Sequence, residues 1–284
     1  VAAPLLERAP SLLFVSTGGA GFDTVDVDAC TAAGVLVVNQ AGGNARSVAE
    51  HTLGLMLDVS KRITETDRVM RSAARGFPRE DLMGHEISGR TIGLVGIGHV
   101  GRRVAALAKA FDMTVLATDP YVDEATVAAR GARKVDLDEL LASSDFVSLH
   151  CPRDASTLNM LDAEAFARMK RGAVLITTCR GGVHDEDALH AALASGHLSG
   201  AGLDVWAYEP PPLDHPLLQL PNVVATFHTA GVTHEARGQM ARFASDQAIG
   251  LLRGRRPPRM INPQAWPAFA ERFERILGFA PDQA

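Results

Sequence analysis

The chain has 284 residues, 46% of them hydrophobic and 21% charged, with a formal net charge of −5 at pH 7. Length and composition are those of a globular protein with about two domains, each able to bury a core. The acidic balance argues against a nucleic-acid partner, and the nearest basic stretch, Arg253-Gly254-Arg255-Arg256, is short and reads as a solvated helix end. No run is long and apolar enough to span a bilayer, and no signal-peptide pattern opens the chain. The ten histidines form no HExxH pattern, and Cys30, Cys151 and Cys179 have no metal-ligand spacing. No metal is expected, and the cysteines read as small buried side chains in a reducing cytoplasm.

In chain order, Val1 to Glu7 reads as the end of a helix and Leu12 to Val15 as a short strand. Ser16-Thr17-Gly18-Gly19-Ala20-Gly21 is a glycine-rich loop. Asp26 to Ala33 is a helix that Gly34 stops, and Val35 to Val38 is a buried strand. Two strands make a thin sheet, so the true N-terminus is expected upstream. Asn44 or Ser47 is expected to cap the next helix, with Glu50 completing a capping box. That helix, Val48 to about Ala73, is apolar nearly all round at first, which suits core or a subunit contact. Gly76, Phe77, Pro78 and the charged stretch to Glu86 read as a surface loop.

Thr91 to Pro120 is the most informative stretch. The apolar run Ile92 to Val95 is strand-like, and Gly96-Ile97-Gly98-His99-Val100-Gly101 turns into a helix to Phe111. A second strand, Thr114 to Ala117, ends on Asp119. Gly96 permits the tight turn, Gly98 a close approach of pyrophosphate, and Gly101 close packing of helix on strand. The helix N-terminus then faces the phosphates. Asp119 lies 18 positions after Gly101, where a carboxylate meets ribose hydroxyls. A carboxylate repels a 2′-phosphate, and Pro120 to Glu124 offers no Arg or Lys, so NAD is expected over NADP.

Alternation continues after the motif. Glu124 to Arg130, Leu137 to Ala142, Asp162 to Met169 and Asp185 to Ala194 read as helices. Phe146 to Leu149, Ala173 to Ile176, Ala201 to Val205 and Val223 to Ala225 read as strands. Such alternation predicts an α/β fold with a doubly wound parallel sheet of Rossmann type. The proline-rich loop Trp206 to Pro221 is expected near the surface. A last long helix, Thr233 to Arg253, leads to a tail with Trp266 that is expected to pack on the first forty residues. The expected division is 1–44 with 232–284 as a discontinuous substrate domain, and 45–231 as the dinucleotide domain.

Ligands of open parallel sheets bind outside the carboxyl ends of the strands. The polar residues there are Asp119, His150, Arg180, Asp204, Glu209 and His228. Singly, Arg180 could be an internal salt bridge, Glu209 a solvated loop acid and His228 a structural histidine. As a set they suit hydride transfer to a 2-oxo acid. A histidine exchanges protons near neutral pH, a neighbouring carboxylate orients it, and a guanidinium polarises the carbonyl and grips the substrate carboxylate. The N–H groups of Gly18 and Gly19 offer an anion nest for that carboxylate.

The segments GGAGFDTVD, SVAEHTLGLML, GLVGIGHVGRRVA, SLHCP, TCRGG, AGLDVWAYEP and TFHTAG together resemble the D-isomer-specific 2-hydroxyacid dehydrogenases, over about Leu12 to Ala248. The resemblance implies that Arg180, Glu209 and His228 hold the catalytic positions. It implies that Asp204 contacts the nicotinamide carboxamide and that His99, Val100, Cys151, Cys179 and Gly231 line the cofactor. It implies a smaller flavodoxin-like substrate domain lacking its first strands, and a homodimer built through the dinucleotide domains and the helix from Val48. Phe227 and Thr177 depart from the Pro and Asn common in the family. Two other readings stay open at this point: an NAD-sensing corepressor, and a phosphite or formate dehydrogenase, the latter disfavoured because formate enzymes have Gln where Glu209 stands.

Overall fold

The computed structural model describes residues 1–72 and 78–282. The chain runs through α1 (Ala3–Arg8), β1 (Phe14–Ser16), α2 (Val27–Ala32), β2 (Leu36–Val38), α3 (Ala45–Lys61) and α4 (Ile63–Arg71). It continues through β3 (Thr91–Val95), α5 (Gly101–Ala110), β4 (Thr114–Thr118), α6 (Glu124–Ala129), β5 (Arg133–Lys134), α7 (Leu137–Ser143) and β6 (Phe146–Leu149). Next come α8 (Ala163–Arg168), β7 (Val174–Thr177), α9 (Glu186–Ala194), β8 (Gly200–Leu203), β9 (Val223–Ala225), α10 (His234–Leu252) and α11 (Trp266–Leu277). Two compact units result, Val1–Ala45 with Val232–Ala284, and Arg46–Gly231.

The larger unit is a seven-stranded parallel sheet in the order β5-β4-β3-β6-β7-β8-β9. The chain builds one way from β3 and then the other way from β6, which opens a crevice at the carboxyl ends of those two strands. Its strands are apolar on both faces because helices cover both. Along β7, Val174 and Ile176 join one buried cluster with Ile92, Leu94, Val104 and Met56. Leu175 between them joins the other, with Val147, Leu149, Phe166 and Leu189. This is the two-residue period of a strand. Four helices start at the same device: Asp123, Asp136, Asp162 and Asp185 each accept the N–H three residues on, at 2.7 to 2.9 Å. Losing such a cap costs about 1 kcal/mol.

Several elements differ from expectation. α3 starts at Ala45, and Ser47 is not its cap; the Ser47 hydroxyl donates to the Ala230 carbonyl at 2.6 Å. The single long helix is two helices, broken at Arg62, which adopts φ 54. Asp58 stops the first by accepting the Thr64 N–H at 2.8 Å, and Arg62 is held by Glu65 at 2.7 Å. The expected helix end at Ala73, and Gly76 and Phe77 of the loop, lie outside the described residues. The remainder of that loop contains a turn of 3₁₀-helix at Arg79–Leu82. The edge strand β5 went unread because Arg133-Lys134 has no apolar signal. The loop from Trp206 is not all surface: Trp206 and Leu217 are buried, and the indole N–H donates to the Thr226 carbonyl at 3.1 Å.

In the smaller unit β1 pairs in parallel with β2. One face packs Leu6, Cys30, Val35 and Val37; the other packs Leu36 and Val38 against Leu251, Trp266, Phe269 and Phe273. The tail around Trp266 is a helix, with Trp266, Phe269 and Phe273 buried along one stripe and Gly278 at φ 80 closing it. Asn262 stitches the two chain ends: its Oδ1 accepts the Val37 N–H at 2.8 Å and its Nδ2 donates to the Val35 carbonyl at 3.0 Å.

Candidate active site

β3 feeds Gly96, whose φ of 93 is open to glycine alone at little cost. A Cβ on Gly101, at the start of α5, would lie 2.2 Å from the Gly96 carbonyl oxygen, so the helix packs this closely only on glycine. Gly98 is different. A Cβ there would meet nothing within 4 Å. No internal packing asks for glycine at 98; open backbone beside a helix N-terminus is what a pyrophosphate requires. Asp119, just past β4, accepts the Ile97 and Tyr121 N–H groups, each at 3.0 Å. A carboxylate has about four lone-pair directions, so it retains capacity for two ribose hydroxyls. These residues therefore fit a dinucleotide. His99 and Val100 form the turn between, with Arg102 3.4 Å from the His99 ring. Arg130, not singled out from the sequence, donates to the Ile97 carbonyl at 2.7 Å and braces the same loop.

At the other end of the sheet, His228 Nδ1 lies 2.7 Å from Glu209 Oε2. The two residues are 19 positions apart and stand past β9 and β8, which are neighbours. Glu209 Oε1 also accepts the Trp206 N–H at 3.2 Å. His228 has φ 47, a strained region for a residue with a side chain. Asp204 holds it there. The Asp204 carbonyl accepts the His228 N–H at 2.7 Å, and its fully buried carboxylate accepts from Thr226 Oγ1 at 2.6 Å, Thr229 N–H at 2.9 Å and Ala230 N–H at 3.0 Å. His51 Nε2 lies 3.6 Å from the same carboxylate. Gly231 directly follows this clamped turn.

Arg180 follows β7, adjacent to β8, and its guanidinium donates to the Cys179 carbonyl at 2.6 Å. The next residue, Gly181, would place a Cβ 1.8 Å from the Trp206 carbonyl oxygen. The arginine strand end and the chain leading to Glu209 are therefore in backbone contact. Glu186 supports the same chain from α9, accepting the Ala207 N–H at 2.8 Å and lying 3.2 Å from His215 Nε2. Glu186, Thr226 and His51 were not singled out from the sequence; helix and strand periodicity absorbed them.

His150 hydrogen-bonds Ser148 at 2.9 Å, and desolvation pushes its imidazole down to about 3, so it stays neutral. Cys30 and Cys179 are buried, whereas Cys151 is only half-buried, which corrects the expectation of three buried thiols. Gly18 and Gly19 lie in the smaller unit, in open space for side chains, with the Gly19 carbonyl accepting the Gln40 N–H at 2.8 Å. Among the described residues no cluster of His, Cys, Asp and Glu could hold a metal ion, and no helix is long and apolar enough to cross a membrane.

Residues 53–230 match the family model of the NAD-binding domain of D-isomer-specific 2-hydroxyacid dehydrogenases. The D-3-phosphoglycerate dehydrogenase of Mycobacterium leprae is 43% identical over 262 residues, which are 92% of this chain and 49% of that protein. The glyoxylate reductase of Korarchaeum cryptofilum is 39% identical over 264 residues, 92% of this chain and 80% of that one. The D-lactate dehydrogenase of Aquifex aeolicus, solved with NAD and lactic acid, superposes with a TM-score of 0.82 at 31% identity, covering 92% of this chain and 83% of the other. The chain spans about half the length of the phosphoglycerate dehydrogenases it matches. With a glycine turn shaped for a dinucleotide at the switch point of a Rossmann-type sheet and most of that sheet matched by the family model, the chain belongs to the D-isomer-specific 2-hydroxyacid dehydrogenases and carries their NAD-binding domain.

Proposed function

We propose that this protein interconverts a small D-2-hydroxy acid and its 2-oxo acid, of the glyoxylate or hydroxypyruvate kind, with NAD preferred over NADP. The observation that carries the reading is the 2.7 Å contact of His228 Nδ1 with Glu209. Bound NADH supplies hydride to the carbonyl carbon. His228 gives the carbonyl oxygen its proton from Nε2 and takes it back in the reverse direction. Glu209, on Nδ1, fixes which nitrogen does so. Arg180 binds the substrate carboxylate and polarises the carbonyl. Gly96, Gly98, His99, Val100, Gly101 and Asp119 hold the adenosine and pyrophosphate half of the cofactor. Cys151, Cys179, Asp204 and Gly231 border the nicotinamide half. Residues 45–231 make the cofactor domain, and 1–44 with 232–284 the substrate domain, in which the Gly18 and Gly19 N–H groups offer an anion nest. Ser16 to Gly21 carries no cation, which favours unphosphorylated acids. The working form is a cytoplasmic homodimer joined through the cofactor domains and α3.

The test is His228→Ala with NADH and glyoxylate, hydroxypyruvate or pyruvate. Removing a proton donor costs about 10²–10⁴-fold in kcat. Undiminished turnover removes the mechanism. A wild-type chain that binds NADH and turns over none of the acids is a sensing module instead, and the His228–Glu209 pair would then have no use.

A further inference from the structure

Two thiols meet at the cofactor crevice. β6 and β7 are parallel neighbours, and their last paired residues are Leu149 and Thr177. Cys151 and Cys179 each follow two residues later, so they leave adjacent strands at the same level. Neighbouring strands lie about 4.8 Å apart, inside the roughly 4.4–6.8 Å window of Cα separations that a disulfide spans. Both cysteines are free thiols, and each perturbs the other's proton affinity.

We propose that Cys151 and Cys179 are a peroxide-sensitive pair that closes to a disulfide and thereby switches off cofactor binding. The location gives the bond its effect. Cys179 precedes Arg180, whose guanidinium donates to the Cys179 carbonyl. Cys151 follows His150, whose carbonyl oxygen would lie 2.9 Å from a Cβ on Gly96. A bridge therefore pulls on the arginine and on the backbone against which the phosphate turn rests. The effect on the cofactor rests on the function proposed above; formation of the bridge does not.

The two thiols divide the chemistry. The Cys151 thiol, the Thr177 hydroxyl 3.5 Å away and the neighbouring Arg180 outweigh burial and draw the Cys179 thiol down. The same contact with Cys179, together with burial, pushes Cys151 up and leaves the proton there. With the Thr177 hydroxyl beside its sulfur and Arg180 next in the chain, Cys179 takes the attacking role in this scheme and Cys151 the resolving one. In the first step the Cys179 thiolate attacks one oxygen of a hydroperoxide. An S–O bond forms, the O–O bond breaks, and the departing oxygen takes a proton. Sulfur is oxidised by two electrons and the peroxide is reduced. In the second step Cys151 sulfur attacks Cys179 sulfur. An S–S bond forms, the S–O bond breaks, and oxygen leaves as water with the Cys151 proton. With Cys179 neutral as a sulfenic acid, the contact that held the proton on Cys151 is gone. With hydrogen peroxide the sum is two thiols and one peroxide giving one disulfide and two waters. A dithiol reverses it.

The experiment uses the full reduced chain, treated with hydrogen peroxide and then alkylated. The expected result is a mass loss of about 2 Da before alkylation, a non-reduced peptide joining Cys151 to Cys179, and one alkyl group, on Cys30, after unfolding. NADH binding, followed by fluorescence titration, should weaken by about tenfold or more and return with dithiothreitol. Cys151→Ser cannot close the bridge, so excess peroxide should carry Cys179 on to sulfinic acid, which dithiothreitol does not reverse. Oxygen adducts without a bridge in the wild type overturn the proposal. So does a bridge that leaves NADH affinity unchanged. A reduced chain that binds no NADH defeats the cofactor reading and the switch with it, while the mass measurement still reports whether the bridge forms.

Discussion

His184 is fully buried, and neither ring nitrogen has a hydrogen-bond partner among the described residues. It pairs with Leu161 in a single parallel bridge, beside the buried Val183. Burial pushes its imidazole from 6.5 down to about 4, against the opposing pull of Glu186 and Asp185. The unfolded chain therefore takes this proton near pH 6.5, and the folded chain only near pH 4. Stability from the neutral ring is complete above pH 6.5 and is lost as pH falls toward 4. At 1.36 kcal/mol per pH unit, the full loss between those values is about 3 kcal/mol, and about 2 kcal/mol of it is gone by pH 5. His184→Leu removes the titration. At pH 7.5 it should already stabilise, because an unpaired buried ring N–H costs about 1–3 kcal/mol. A kcal/mol moves the melting temperature of a unit this size by about 2–4 °C. The Tm difference between variant and wild type should thus widen by about 4–8 °C from pH 7.5 to pH 5 in scanning calorimetry. His150 titrates in both proteins and cancels. A difference that stays constant with pH would falsify the reasoning, because the ring would then be solvated or paired in the folded chain.

Four further variants test the site. Glu209→Gln keeps the shape of the His228 partner and removes its charge; kcat should fall by about 10²-fold or more while NADH affinity, read by titration, stays the same. Gly98→Ala should melt with the wild type and bind NADH at least about tenfold more weakly, because its Cβ meets only the space a phosphate would use. Gly101→Ala should instead lose about 2–4 kcal/mol of stability, since its Cβ would overlap the Gly96 carbonyl, and equal melting temperatures for the two variants would refute the distinction. Asp119→Ser should shift the ratio of kcat/KM for NADH over NADPH toward NADPH by about tenfold or more, and an unchanged ratio would assign Asp119 to bracing the Ile97 and Tyr121 N–H groups alone.

The parts of this molecule that sequence exposes are those with a local cause. Strands such as Phe146 to Leu149 are short apolar runs with turn residues on either side, and Asp162 marks the start of its helix as a cap. The break at Arg62 has no such mark. It needs Asp58, Glu65 and the carbonyl of Asp81 together, and the apolar pattern of α3 runs straight through it. The edge strand β5 is equally silent, because two charged residues gain their place only from pairing with β4.

The candidate site divides along the same line. Arg180, Glu209 and His228 can each be placed at a strand end from the chain alone, because strand ends are local. How near they stand to one another is not local. Glu209 reaches His228 because the Gly181 backbone lies against the Trp206 carbonyl, because Glu186 holds the Ala207 N–H from a separate helix, and because the buried Asp204 carboxylate clamps the turn that forces His228 to a positive φ. The same holds for the two thiols. Resemblance puts Cys151 and Cys179 along one cofactor, but only the register of β6 on β7 pairs them with each other. Register is a property of the pair of strands, so neither segment contains it. Chemistry that depends on one side chain at a strand end is therefore accessible from the chain, and chemistry that depends on two strand ends meeting requires the sheet.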